Sequence, residues 1–146
     1  MTEGPPLQAR KPRVLLAARR VAREPFRQAL GSDVDVVEAE TLDEVIAQLS
    51  IGEAPNLICC TVYFDESRMF ELLQWVRQRF ADIPIICARA LPKDLPKISM
   101  EALRIASEAM GAAAFIDVPS LTAQYGADGA LARLRVLLLG EISRGA

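Results

Sequence analysis

Histidine is absent from all 146 residues of the chain. With it go the commonest general base, the commonest nitrogen ligand for metals and the usual neutral-pH proton switch. No apolar run approaches the roughly 18 residues that would suggest a membrane span. The opening Met1-Thr2-Glu3-Gly4-Pro5-Pro6 has no apolar core of an export signal. Cysteine is scarce: Cys59, Cys60 and Cys87 are odd in number and lie in apolar runs, which argues against a disulfide framework. A net charge of −2 leaves no basic surplus for nucleic acid or an anionic membrane. No glycine-rich phosphate loop follows the first apolar run, where the text reads Ala18-Arg19-Arg20-Val21. These absences lead us to expect a cytoplasmic protein that is not an enzyme. No cofactor, bound metal, nucleic acid or membrane is expected.

The remaining composition, 51% apolar and 25% charged, is that of a globular domain. A domain of this size buries about 70% of the surface its unfolded chain exposes. Residues 1–11 are polar, proline-rich and aperiodic, and read as a flexible arm before a domain over 12–146. Short apolar runs predict strands at Arg13–Ala18, Val34–Ala39, Leu57–Val62, Pro84–Ala88 and Ala113–Asp117. Helical spacing follows each: Arg23–Leu30, stopped by Gly31; a helix opened by Thr41 as its cap; Met69–Phe80; Met100–Met110, capped by Ser99; and Leu131–Ile142. Ser120–Gly129 reads as a loop. Five alternating β-α units imply a parallel sheet with helices on both faces. The expected fold is flavodoxin-like, a five-stranded α/β sheet in order 2-1-3-4-5 with helices on both faces and functional groups at the carboxyl ends of its strands.

Two segments carry a family resemblance. Pro55-Asn56-Leu57-Ile58-Cys59-Cys60-Thr61-Val62-Tyr63, followed by the helix Met69 to Arg77, resembles the centre of response-regulator receiver domains. Gly111-Ala112-Ala113-Ala114-Phe115-Ile116-Asp117-Val118-Pro119 resembles that family's G-A-x-x-F-L-x-K-P. The resemblance covers nearly the whole chain after residue 12. It implies a signalling module whose usual chemistry needs five groups in one pocket. Two acidic residues that hold Mg²⁺ fall on Ala18 and Arg19. The phospho-accepting aspartate falls on Thr61, the Thr or Ser of the fourth strand on Arg89, and the lysine of the fifth on Val118; Pro119 is retained. All five depart from the pattern. Without carboxylates the charge of an incoming phosphoryl donor is not neutralised. A pseudo-receiver is therefore expected, acting by contact with a protein partner or by self-association, independently of phosphorylation.

Two readings of the altered pocket stand side by side. Arg19, Arg89 and the Thr61 hydroxyl would suit a phosphate or carboxylate, making a small-anion or metabolite sensor. Alternatively, Arg19 pairs with Asp65, Glu66 or Asp117 and fixes the loops. Asp65 itself reads as a solvated loop acid. Cys59 and Cys87, each two residues before a pocket position, are expected to share a face as inert core thiols. Trp75 fits either a partner anchor or a packed core residue. Three adjacent leucines, Leu137-Leu138-Leu139, span too wide an arc for one helix–sheet contact, so at least one should reach the surface. With Leu91, Pro92, Leu95, Pro96 and Tyr125 they make the candidate interaction surface.

Overall fold

A computed structural model describes residues 11–92 and 100–145. The expected arm over 1–11, apart from Lys11, lies outside the described residues, as do Leu95, Pro96 and the proposed cap Ser99. Five strands, β1 (Arg13–Ala17), β2 (Asp35–Ala39), β3 (Leu57–Thr61), β4 (Ile85–Arg89) and β5 (Ala114–Asp117), form one sheet in the order β2-β1-β3-β4-β5. Every pairing is parallel. The flavodoxin-like order expected from the β-α alternation is the one observed. β3 is buried along its whole length, as a central strand covered on both faces must be, whereas edge strand β2 is only partly buried.

The helices divide between the two faces. Helices α1 (Glu24–Leu30) and α5 (Val118–Gly145) cover one, against Val14, Leu16, Leu57, Cys59 and Ile86. On the other, α2 (Leu42–Ser50), α3 (Met69–Arg79) and α4 (Met100–Ala109) pack on Leu15, Ile58, Cys60, Ile85 and Cys87. The alternation of side chains along each strand produces this division. Local signals act at the ends. Gly31 closes α1, its N–H donating to the Arg27 carbonyl, and Thr41 Oγ1 accepts from Glu44 N at 3.1 Å to open α2. The Glu44 carboxylate reaches back to Glu40 N at 2.7 Å, so two exposed donors at this end are satisfied.

Two expectations are corrected. Cys87 lies beside Cys60, not Cys59, because β3 and β4 pair with Cys60 opposite Cys87 and Thr61 opposite Ala88. Judging register from the matched pocket positions displaced it by one residue, which moves a side chain to the other face. Second, the segment Ser120–Gly129 is not a loop. It belongs to α5, which runs from Val118 with one break at Gly126 (φ 77°, ψ 172°). Leu121, Ala123, Gln124 and Ala130 favour helix, and the two glycines that suggested a loop produce only this local break.

Candidate functional site

The carboxyl ends of β1, β3, β4 and β5 bring the pocket residues to one edge of the sheet. After β1, Ala18 is fully buried and its N–H donates to the Ala39 carbonyl at 3.1 Å. Its own carbonyl accepts from Arg23 Nε at 3.2 Å. Arg19 then starts a short 3₁₀ turn, Arg20–Ala22, and its guanidinium lies 5.7 Å from the Tyr63 ring centroid. That distance is within cation–π range. Arg23, one turn on, pairs with Glu38 at 2.9 Å and Glu40 at 3.3 Å, tying the loop after β1 to edge strand β2.

Thr61 ends β3 with 2% of its surface exposed, and its Oγ1 has no hydrogen-bond partner among the described residues. The Thr61 carbonyl accepts from Phe64 N at 3.0 Å, and the Phe64 ring is fully buried. The chain then makes a left-handed turn through Asp65, Glu66 and Ser67, with φ of 47°, 55° and 73°. L-residues enter this region at a cost and need external support there. Support comes from Asp65, whose Oδ2 accepts from Leu42 N at 2.8 Å at the start of α2. Asp65 is thus a partly buried capping residue, not the solvated loop acid expected, because the turn carries it across to the Leu42 N–H, which the Thr41 cap does not serve.

At the end of β4, Arg89 donates from Nε to Asp117 Oδ1 at 2.8 Å and from Nη2 to Oδ2 at 3.3 Å. Its Nη1 donates to the Pro92 carbonyl at 3.0 Å. Both side chains are largely buried, 15% and 14% exposed, and Ser120 Oγ adds a hydrogen bond to Asp117 Oδ2 at 2.6 Å. Val118 follows, buried against the α1/α5 face of the core. Of the two cations expected here, Arg89 is the one bound to Asp117, and Arg19 rests on Tyr63. The bidentate contact commits Arg89 to the Asp117 carboxylate rather than to an anion beside Thr61. Ala18, Thr61 and Val118 offer a methyl, a hydroxyl and an isopropyl group. That donor set does not fit the carboxylate coordination Mg²⁺ requires. Among the described residues, no group of three His, Cys, Asp or Glu side chains could hold a metal ion.

The three thiols are fully buried. Desolvation pushes Cys87 up to about 12 and raises Cys59 and Cys60 as well, which favours the neutral thiol in all three. Trp75 is partly buried against the core, tilted on Phe80 at 6.0 Å, with Arg79 over its ring at 4.6 Å.

The candidate interaction surface divides by burial. Leu138 is fully buried in the core against the sheet and, contrary to expectation, forms no part of the surface. Leu139 and Leu91 are partly buried against the same core cluster. Leu137 and Tyr125 are 42% and 39% exposed, and Val136, which sequence reasoning passed over, is 71% exposed. Pro92 is exposed, with its carbonyl held by Arg89. Arg133 lies 3.6 Å over the Tyr125 ring. Tyr63, Ser120, Gly126 and Arg133 were also missed. Only Gly126 had a local signal, and it was absorbed into the loop reading.

The sequence matches no protein-family model and no curated protein. Solved structures do match. A chain assigned as a response regulator in Chloroflexus aurantiacus aligns at 18% identity and a TM-score of 0.70, over 92% of this chain and 100% of its own. The receiver domain of a Francisella response regulator aligns at 17% and 0.65, over 93% and 100%. The phosphorylated cyanobacterial phytochrome response regulator RcpA aligns at 14% and 0.69, over 92% and 96%. The chain therefore has the fold of response-regulator receiver domains.

Proposed function

We propose that this chain is a degenerate receiver domain, a pseudo-receiver, that serves signal transduction by binding a protein partner without phosphoryl transfer. The observation that carries this reading is Thr61. The position that resembles the phospho-acceptor holds a buried hydroxyl, with no carboxylate partner and no histidine in the chain to activate it. The neighbouring substitutions support it, since Ala18 supplies no metal ligand and Arg89 is occupied by Asp117. A receiver needs two loop arrangements to report phosphorylation. On this reading the Arg89–Asp117 pair and the Asp65 contact to Leu42 N favour one arrangement without a covalent phosphate.

The anion-sensor reading is weaker, because Arg89 already has a bidentate carboxylate partner and binding an anion there would break it. Incubation with Mg²⁺ and acetyl phosphate, followed by intact-mass measurement, tests the proposal. The expected spectrum shows no added phosphoryl group. An acid-labile phosphoryl adduct on Asp65 or any other carboxylate would refute it.

A further inference from the structure

The break at Gly126 divides α5 into two arms, and both contribute to an open groove of about 570 Å³ on the outward side of the helix. Leu121 and Tyr125 come from the first arm, and Ala132, Arg133, Val136 and Leu137 from the second. Gly129 shapes it: a Cβ there would fall 2.8 Å from Tyr125 Cβ, so only glycine lets the tyrosine lie against the second arm. Along that arm, Gly129, Ala132, Val136 and Gly140 recur every three or four residues. Space beside Gly140 is open, with nothing within 4 Å of a built Cβ. A second helix can approach closely along such a row.

Charge identifies the partner. Arg133 is the one charged residue lining the groove, stacked on Tyr125. Among the described residues no carboxylate lies within salt-bridge distance of it, although Arg135, two positions on, is paired with Asp33. Apolar side chains surround a cation that is left without an anion. Aromatic and arginine residues set in an apolar patch are the usual anchors of protein interfaces.

We propose that this groove docks an amphipathic helix of another protein, whose apolar stripe covers Tyr125, Val136 and Leu137 and whose acidic residue meets Arg133. The inference deepens the interaction-module reading by giving the partner's chemistry. It does not use the Thr61 pocket, so phosphorylation of the chain would leave it standing.

The test is titration of ¹⁵N-labelled protein with two synthetic helical peptides of the same apolar pattern. One is built from leucine, alanine and glutamate, and the other has lysine for glutamate. Amide shifts at Leu121, Tyr125, Ala132, Arg133, Val136 and Leu137 are expected with the acidic peptide, at an affinity about threefold to fivefold above the basic one, the scale of one exposed ion pair. Arg133→Glu should invert the preference. Val136→Asp, at an exposed site, should abolish both responses while leaving the unfolding midpoint unchanged. Equal binding of the two peptides, no binding, or shifts elsewhere would overturn the proposal. So would sedimentation showing a dimer that Val136→Asp dissociates, which would make a second copy of this chain the occupant.

Discussion

Thr61 brings a hydroxyl into a fully packed environment and gives it no partner. An unmade buried hydrogen bond costs about 1–3 kcal/mol, so an apolar group of the same shape should do better there. Thr61→Val is expected to stabilise the protein by about 1 kcal/mol in urea unfolding. A loss of stability would mean that the hydroxyl has an energetic role. Arg89 and Asp117 behave oppositely. Their contact is bidentate and about 85% buried, so removing one partner strands the other. Arg89→Ala should cost about 2 kcal/mol, discounted from the roughly 3–5 kcal/mol of a fully buried pair. Arg89→Lys should recover only part of it, since an ammonium cannot make both contacts. Equal stability of Arg89→Ala and the parent would dismiss the lock. The identities of these residues were legible from the sequence, and their departure from the receiver pattern was too. Their partners were not: Arg89 meets a residue 28 positions away, and Asp65 meets an amide 23 positions back. Nothing local selects Arg89 over Arg19 as the partner of Asp117.

At the scale of elements, the five strands and their order followed from apolar runs separated by capped helices, and the structure reproduces them. Edge position was legible in the partly alternating text of β2, and the start of α2 in Thr41. Two features escaped for different physical reasons. The pairing of Cys60 with Cys87 depends on strand register, which local text does not fix, whereas Ser120–Gly129 is a mostly exposed stretch of α5 whose helix-favouring Leu121, Ala123 and Gln124 outweigh the two glycines that suggested a loop. Gly126 gives a direct probe. Its φ of 77° with ψ of 172° is open only to glycine, while a Cβ would meet nothing within 4 Å. Gly126→Ala should therefore cost about 1–3 kcal/mol through the backbone alone. It should also perturb the amides of Tyr125 and Arg133, because the two arms must realign. An unchanged melting temperature would mean that the break is not glycine-dependent. Gly111 combines both constraints, at φ 105° with a Cβ that would fall 2.7 Å from Arg77 Cδ.

For the whole molecule, two apolar layers on a parallel sheet enclose three neutral thiols. In the native protein they should resist thiol reagents and become reactive only on unfolding, which a kinetic thiol assay with and without urea checks. Their linkage to pH has a definite sign. A thiol ordinarily titrates at 9.0, whereas burial raises Cys87 to about 12. Below pH 9 both folded and unfolded chains hold the proton, and the contribution to stability is complete. As pH rises from 9 toward 12 the unfolded chain releases protons that the folded chain keeps, so stability falls. The urea midpoint should drop between pH 8 and about pH 10.5, and Cys87→Ala should reduce the slope. The altered pocket lies at the edge of these layers, and the proposed function has side-chain contacts there, Arg89 to Asp117 and Asp65 to Leu42 N, in place of a reversible modification. The most direct test of that account is a ¹H–¹⁵N spectrum recorded with Mg²⁺ and beryllofluoride, compared with Mg²⁺ alone and with phosphate alone. Unchanged amides at Ala18, Arg19, Thr61, Arg89 and Val118 in all three are the predicted result. Shifts at those positions that require Mg²⁺ and beryllofluoride together would contradict it.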